Sequence, residues 1–177
     1  MNIQTITLAG GCFWCTEAVF KRVRGVESVV PGYANGDGRP VTYERVCSGR
    51  SGYAEAIQIT FDTAAITLET LLDVFWAVHD PTSLNRQGND QGTEYRSGIY
   101  YATPEQLPII RAAVAALETS ATYDKPIVTE IEPLRQFFPA EEYHRDYYDQ
   151  NRQQGYCRLI IDPKIEKLTK NFADHLA

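Results

Sequence analysis

Two cysteines three positions apart, Cys12 and Cys15, have the clearest potential for chemistry in this sequence. They follow Gly10 and Gly11, at the point where a predicted strand ends and a predicted helix begins. A cysteine at a helix N-terminus lies near the positive end of the helix dipole and near free backbone N–H groups. Both favour the thiolate, so the sequence predicts that Cys12 is nucleophilic at neutral pH. The spacing also places the two thiols one helical turn apart, where a disulfide forms if the local geometry permits.

The cysteines also fit other interpretations. A C-x-x-C pair can be half of a zinc site, but a structural site needs four ligands, and neither Cys47, Cys157 nor the three histidines show ligand spacing. A thioredoxin-type redox motif is a second alternative. The bulky Phe13 and Trp14 between the cysteines are more typical of the wall of a binding pocket than of a surface for arbitrary disulfides. Cys47 is interpreted as a small, buried packing residue.

Length and charge narrow the class of protein. A chain of 177 residues fits one compact domain, so we expect a single domain over residues 1–177, with a monomer as the default. The net charge of −6 argues against nucleic-acid binding and against a basic membrane-surface protein. No apolar run approaches the ~20 residues that span a bilayer. The N-terminus lacks the features of a signal peptide, so we expect a cytoplasmic protein with reduced thiols.

The pattern of apolar residues predicts alternating strands and helices. The predicted strands are residues 3–8, 26–34, 53–61, 99–101, 127–131 and 159–161. The predicted helices are residues 13–23, 67–78, 104–117, 140–148 and 164–176. The polar stretch 79–96 is long enough for us to expect a functional loop. The first six elements indicate an α+β fold, a two-layer sandwich with a ferredoxin-like β-α-β-β-α-β core and extra C-terminal elements.

Five ordered blocks resemble the peptide methionine sulfoxide reductase A family and cover most of residues 8–161. The blocks are residues 11–15 (GCFWC), 42–49 (TYERVCSG), 52–55 (GYAE), 79–82 with 85–97 (HDPT and NRQGNDQGTEYRS) and 140–144 (AEEYH). Tyr53 in the third block stands where the family usually has histidine. The resemblance implies an enzyme that reduces the S epimer of methionine sulfoxide, free or in proteins, to methionine.

The resemblance also implies roles for single residues. Cys12 is expected to be the nucleophile, and Phe13 and Trp14 to form the apolar wall around the substrate methyl group. Glu55 is expected to be the proton donor. It lies in an otherwise apolar strand, where burial raises the pKa of a carboxylic acid and lets it keep its proton at neutral pH.

Other polar residues complete the implied site. The hydroxyls of Tyr43 and Tyr95 are expected to hydrogen-bond the sulfoxide oxygen. Asp90 is expected to hold a network of water and hydrogen bonds in the polar loop. His144 is expected to have a supporting role only.

The resemblance further implies a sulfenic acid on Cys12 that condenses with a second cysteine, giving a disulfide that thioredoxin reduces. Cys157 and Cys15 are both candidates for the resolving thiol. The interpretation leans to Cys157, because a C-terminal loop can move onto the nucleophile without unwinding a helix. Direct reduction by an external thiol stays open. No nucleotide, flavin or metal motif appears, so we expect no bound cofactor.

Two competing hypotheses remain at this point. The first is a general dithiol–disulfide oxidoreductase that uses Cys12 and Cys15. The second is a non-catalytic module that binds a small molecule or peptide in an aromatic pocket at Phe13 and Trp14. Neither gives a defined role to Glu55.

Overall fold

The computed structural model describes residues 2–177, so Met1 lies outside the described residues. The strands are β1 (Ile3–Gly10), β2 (Val26–Ala34), β3 (Ala54–Asp62), β4 (Arg86–Gln87), β5 (Asp90–Gln91), β6 (Ser97–Tyr101), β7 (Glu130–Pro133) and β8 (Phe137–Pro139). The α-helices are α1 (Phe13–Phe20), α2 (Tyr43–Cys47), α3 (Leu68–Val78), α4 (Gln106–Thr119), α5 (Tyr147–Gln150) and α6 (Asp162–Asn171). Short 3-10 turns cover Thr93–Tyr95, Glu142–His144 and Ala173–His175, and a π-helical turn covers Cys157–Ile161. Within residues 2–177, no helix has the length and apolar character needed to cross a membrane.

Six of the strands form one sheet in the order β7-β6-β1-β3-β2-β8. β1 lies antiparallel between β3 and β6, and β2 pairs antiparallel with β3. The four central strands, connected through α1 and α3, have the strand order of a ferredoxin-like core. The predicted α+β fold is therefore confirmed. β7 pairs parallel with β6 at one edge, and β8 pairs antiparallel with β2 at the other.

The main hydrophobic core lies between one face of the sheet and the helices. Ile57, Ile59 and Phe61 of β3 are fully buried and belong to the same cluster as Phe75 of α3. Side chains alternate between the two faces of a strand, so residues of the same parity share a face. Glu55 has the parity of these three residues. Its carboxyl group is therefore directed toward the helical layer rather than toward solvent.

The last predicted strand, residues 159–161, is wrong, because these residues lie in the π-helical turn that leads into α6. Cys157 and Ile161 are buried while Leu159 is 75% exposed, a helical spacing of four residues rather than the alternation of a strand. Pro163 has no N–H with which to bond the carbonyl four residues earlier, at Leu159. A wider turn at this point accommodates the missing bond.

The polar stretch 79–96 is not an irregular loop. It contains the β4–β5 hairpin and the first 3-10 turn. The hairpin is fixed by Gln87, whose side chain accepts the Asp80 N–H at 2.9 Å and donates to the Asp80 carbonyl at 2.6 Å. These bonds hold the hairpin, and Asp90 within it, against the end of α3.

The predicted helix over residues 140–148 is divided in two. A 3-10 turn and α5 are separated at Asp146, which adopts a left-handed conformation with φ of 53°. The Asp146 N–H donates to the buried carboxylate of Glu17 on α1 at 3.0 Å. The break therefore fastens this segment to α1, close to the two cysteines.

Candidate active site

Cys12 stands at the N-terminus of α1, directly after a sharp turn. Gly11 has a φ of 90°, which favours glycine, and a Cβ atom on Gly10 would lie 2.8 Å from Phe75. Cys12 is 9% exposed and borders a cavity of about 660 Å³, whereas Cys15 is only 1% exposed. Cys12 is therefore the cysteine of the pair that a ligand can reach.

The predicted thiolate at Cys12 is wrong for the substrate-free protein. Burial raises the pKa of Cys12 well above the ordinary thiol value, and the side chains of Cys15 and Glu55 raise it further. The backbone N–H of Trp14 acts in the opposite direction, as expected at a helix N-terminus. Loss of solvation outweighs the helix-terminus effect, so Cys12 holds its proton.

Cys15 is the more acidic thiol of the pair. A hydrogen bond from Cys12 lowers the pKa of Cys15 to about 7, against the effect of burial. The positive charge of Lys164 and the hydroxyl of Tyr156, 3.6 Å from Cys15 Sγ, act in the same direction. Of the two thiols, Cys15 therefore gives up its proton more readily.

Glu55 is a buried acid beside the first turn of α1. One carboxyl oxygen accepts the Phe13 N–H at 3.2 Å, and the other, Oε2, has no hydrogen-bond partner among residues 2–177. Burial raises the pKa of Glu55 to about 8 against the Phe13 hydrogen bond, with a further contribution from the charge of Asp90. Glu55 therefore keeps its proton at pH 7 and has a free oxygen from which to deliver it.

Two tyrosine hydroxyls share the surroundings of these groups. Burial raises the pKa of both Tyr43 and Tyr95, and the charges of Glu55 and Cys12 raise them further. Both hydroxyls therefore stay protonated at any physiological pH and are hydrogen-bond donors. The structure thus brings together Cys12, Glu55, Tyr43 and Tyr95, as the sequence predicts.

The residues between the two cysteines form an aromatic surface. Phe13 is fully buried, with its ring centroid 5.6 Å from that of Tyr33. Trp14 is half-buried, stacks on Tyr147 at 3.8 Å and packs against the cluster that contains Cys12. An apolar surface therefore adjoins the nucleophile. The role of Phe13 and Trp14 in holding the substrate methyl group stays a prediction.

His144 holds Trp14 in place, a role more specific than the supporting one expected. Its Nδ1 accepts the Trp14 Nε1–H at 3.0 Å, so this nitrogen carries no proton. His144 is completely buried, burial lowers its pKa, and its ring lies 4.6 Å from that of Tyr43. The neighbouring Glu141 accepts the Tyr43 N–H at 2.9 Å. The resemblance of residues 140–144 to a family block pointed to His144, but it did not identify Trp14 as its partner.

Tyr156 is a site residue that the sequence analysis missed. Its hydroxyl donates to Asp90 Oδ2 at 2.7 Å and lies near Cys15. Asp90 is thereby joined to the cysteine pair, as expected of a residue that organises a hydrogen-bond network. The sequence indicated the contacts of Tyr156 only by placing an aromatic residue directly before Cys157.

These arrangements meet the chemical needs of sulfoxide reduction, and the family comparison decides the identity. The family model described as peptide methionine sulfoxide reductase matches residues 4–176. The chain belongs to the peptide methionine sulfoxide reductase family. A relative from Sulfolobus acidocaldarius, named peptide methionine sulfoxide reductase MsrA, is 51% identical over 172 residues, covering 97% of each protein. The resemblance and the enzyme class predicted from the sequence are confirmed.

Solved structures of family members have the same fold as this reductase. Mxr1 from Saccharomyces cerevisiae in its reduced form aligns with a TM-score of 0.79 at 38% identity, covering 88% of this chain and 89% of that one. Mxr1 in complex with Trx2 aligns with a TM-score of 0.56 at 29% identity, covering 82% and 84% respectively.

Cys157 of the reductase is placed differently from expectation. It is fully buried in one cluster with Cys12, Cys15 and Ile161, and burial raises its pKa. It begins the π-helical turn, so the expected C-terminal loop is wrong.

Cys47, interpreted as a buried packing residue, is exposed in the reductase. It ends α2, a five-residue helix that the sequence analysis did not predict. Partial burial together with the charge of Glu55 raises its pKa, against the effect of the Tyr43 hydroxyl. Cys47 therefore lies at the rim of the site and not in the core.

Tyr53, the visible departure from the family blocks, contributes to packing. Its hydroxyl donates to the Arg39 carbonyl at 3.1 Å, and its ring meets that of Phe138 edge-on at 5.8 Å. It makes no hydrogen bond to Glu55 within the described residues. Burial, rather than Tyr53, accounts for the raised pKa of Glu55. Over residues 2–177, no three His, Cys, Asp or Glu side chains cluster in a way that could hold a metal ion.

Proposed function

We propose that the reductase acts on the S epimer of methionine sulfoxide, free or in proteins, through attack by Cys12 with Glu55 as the proton donor. The observation that carries this proposal is the buried Glu55, protonated at neutral pH and with an unpartnered oxygen, next to the only accessible sulfur of the cysteine pair. A sulfoxide oxygen leaves readily only when it is protonated, and such an acid supplies the proton.

In the first step the Cys12 sulfur takes the sulfoxide oxygen. The methionine S–O bond breaks, and an S–O bond forms on Cys12, which is oxidised to a sulfenic acid while the sulfoxide is reduced to methionine. Glu55 gives its proton to the oxygen. The Cys12 thiol passes its own proton to the Cys15 thiolate, the more acidic partner of the pair. Atoms and charge balance without another reactant.

The hydroxyls of Tyr43 and Tyr95 stabilise the oxygen during this step. Both remain donors because their pKa values are raised. Hydrogen bonds aimed at an atom where charge develops contribute most in a site shielded from water. Trp14, which is half-buried and adjoins the fully buried ring of Phe13, accepts the methyl group and so selects the epimer.

Cys15, rather than Cys157, resolves the sulfenic acid in our proposal. Cys15 is adjacent to Cys12 and has the lower pKa, whereas Cys157 is held in a helical turn with a raised pKa. The Cys15 thiol attacks the Cys12 sulfur, a disulfide forms, and the hydroxyl leaves as water.

A thioredoxin then reduces the disulfide by thiol exchange and regenerates both thiols. The complex of the relative Mxr1 with Trx2 supports this reductant. A general disulfide oxidoreductase would also use the two cysteines, but its reaction gives no role to the buried Glu55.

The test uses fully reduced enzyme, without reductant, and the separated S and R epimers of N-acetyl-methionine sulfoxide. We expect about one methionine derivative per enzyme from the S epimer and none from the R epimer. Cys12→Ser is expected to give none from either. Turnover of the R epimer at a rate equal to that of the S epimer would overturn the assignment.

A further inference from the structure

We propose that Glu17 is a positioning residue for substrate binding, because its buried carboxylate fastens residues 142–150 to α1 and so holds Trp14 beside the nucleophile. This inference rests on the proposed function, since it takes Trp14 as the surface that receives the substrate methyl group. Glu17 acts through this segment and not on the reacting atoms.

The contact between Glu17 and Asp146 uses both oxygens of a buried carboxylate. Glu17 lies on α1, three positions after Trp14, and is only 3% exposed. The Asp146 N–H faces its two oxygens at 3.0 and 3.1 Å. Asp146 is left-handed, with φ of 53°, a conformation that few residues other than glycine adopt. The Glu17–Asp146 contact therefore holds the chain at the break before α5.

The break lies between the two residues that contact the Trp14 indole. His144, two positions before Asp146, accepts the indole N–H at 3.0 Å. Tyr147, directly after Asp146, stacks on the indole at 3.8 Å. Both side chains project from the backbone that Glu17 fixes. The position of Trp14 therefore depends on the Glu17–Asp146 contact.

The salt bridges of the same segment do not replace this contact. Lys21 pairs with Asp146 and Asp149, and Arg22 pairs with Asp149. The four side chains are between 24% and 55% exposed. Water screens ion pairs this exposed, so they stabilise the segment less than a buried, charge-assisted hydrogen bond does.

The strength of the Glu17–Asp146 contact depends on pH. Burial raises the pKa of Glu17 to about 7, against the Asp146 N–H and the positive charges of Lys21 and Arg145, while the charge of Asp146 adds to the rise. A carboxylate is a stronger acceptor than a protonated acid. The segment is therefore held more tightly above pH 7 than below it.

The experiment measures the half-saturating concentration of the S epimer of N-acetyl-methionine sulfoxide in single turnovers of fully reduced enzyme, at pH 6 and at pH 8. Glu17→Gln keeps the shape and one acceptor oxygen but does not ionise. We expect it to raise this concentration by about fivefold at pH 8 and to match wild type at pH 6, where Glu17 is already protonated. The maximal rate is expected to stay unchanged. Because both proteins share the titrations of Cys15 and Glu55, the ratio of variant to wild type at each pH isolates Glu17.

Two matched variants serve as controls. Asp146→Asn keeps the backbone N–H and tolerates the left-handed conformation, but loses the ion pair with Lys21. It is expected to bind substrate as wild type does at pH 8. Glu27→Gln makes the same chemical change as Glu17→Gln at an exposed position of β2, and it is expected to have no effect at either pH.

Thermal melts separate positioning from a merely structural role. The pKa of Glu17 is raised in the folded state, so its ionisation lowers stability as pH rises from about 4.5 to about 7. Glu17→Gln does not ionise. We therefore expect its Tm at pH 8 to equal or exceed that of wild type while it binds substrate more weakly. A general loosening of the fold would lower both the Tm and the affinity.

The outcomes separate this proposal from the proposed function. If Trp14→Ala leaves the half-saturating concentration unchanged, Trp14 does not receive the methyl group, and both proposals fail on that point. If Trp14→Ala raises it but Glu17→Gln does not at pH 8, only the role of Glu17 is overturned. An equal rise for Glu17→Gln at pH 6 and at pH 8 also overturns it, because the ionised carboxylate is then not what holds the segment.

Discussion

Cys12 and Glu55 lie together at the first turn of α1, and burial raises the pKa of both. For the acid this is useful, because a protonated carboxyl group can donate at neutral pH. For the nucleophile it means that the thiolate forms only as its proton moves to Cys15. The Cys12 thiolate therefore appears during the reaction and not before it.

Replacing Glu55 with Gln removes the donor with little change of shape. We expect single-turnover methionine formation at pH 7 to fall by about 10²-fold or more. The wild-type rate is expected to fall as pH rises through about 8, because the active form is protonated. Rapid-quench measurements from pH 6 to 10 test this. A wild-type rate that continues to rise above pH 9 would contradict the assignment.

A thermal melt provides the control for folding in Glu55→Gln. The pKa of Glu55 is raised in the folded state, so the native protein binds the extra proton and loses stability as pH rises from about 4.5 to about 8. The Gln variant does not ionise. We therefore expect its Tm at pH 9 to equal or exceed that of wild type, even though its activity is lost.

The sequence supported the raised pKa of Glu55 but not that of Cys12. Glu55 interrupts an apolar strand, and the family resemblance favoured its burial over a position facing solvent. Cys12 is buried partly by Tyr156 and its neighbours, more than 140 positions away. Only the tertiary structure shows that burial raises the pKa of Cys12 by more than the helix N-terminus lowers it.

At the scale of elements, the segment from the second 3-10 turn to α5 holds the aromatic wall of the site. It supplies His144, which accepts the Trp14 indole N–H, and Tyr147, on which the indole stacks. Salt bridges from Lys21 and Arg22 to Asp149 fasten the same segment to α1. The wall is therefore placed by a part of the chain distant in sequence.

His144→Phe removes the acceptor for Trp14 while keeping a ring of similar size. We expect the KM for methionine sulfoxide to rise about fivefold to tenfold, the worth of one buried hydrogen bond, with a smaller change in kcat. His144→Asn retains an acceptor and is expected to recover part of the KM. Steady-state kinetics check this, with Tm as a control. An unchanged KM in a stably folded His144→Phe enzyme would exclude the positioning role.

Periodicity predicted the long elements β1, β2, β3, α1 and α3, although α1 and the second half of β1 are buried on both faces rather than one. It failed for short elements. α2 has five residues and β8 has three, too few to show a period. Residues 159–161 misled the analysis because a β-branched apolar run is typical of strands, whereas Pro163 and the helix that follows impose a π-helical turn.

At the scale of the whole molecule, the C-terminal residues anchor α6 and the π-helical turn, which cover the cysteines. The N–H of Arg24 donates to the His175 carbonyl at 2.7 Å, and the N–H of Ala177 donates to the Arg22 carbonyl at 2.9 Å. Leu176 packs against the main core. The last residues therefore tie α6 and the π-helical turn back to the connection between α1 and β2.

Deleting residues 172–177 removes this anchor and two apolar side chains, Phe172 and Leu176, that pack against the core. We expect the Tm to fall by about 5 °C, from the loss of roughly 2 kcal/mol of apolar burial. Cys157 is expected to react faster with a thiol reagent. Differential scanning fluorimetry and timed thiol titration check both effects, and an unchanged Tm with unchanged Cys157 reactivity would count against the anchor.

The central claim is that Cys12 takes the sulfoxide oxygen and that Cys15 then resolves it. The most direct measurement mixes fully reduced enzyme with methionine sulfoxide, without reductant, and counts both methionine formed and thiols lost. Wild type and Cys157→Ser are expected to give about one methionine and to lose two thiols. Cys15→Ser, which lacks the proton acceptor of the first step, is expected to react more slowly, to lose only one thiol and to retain a sulfenic acid. No methionine from the reduced wild type, or two thiols lost by Cys15→Ser but only one by Cys157→Ser, would contradict the account.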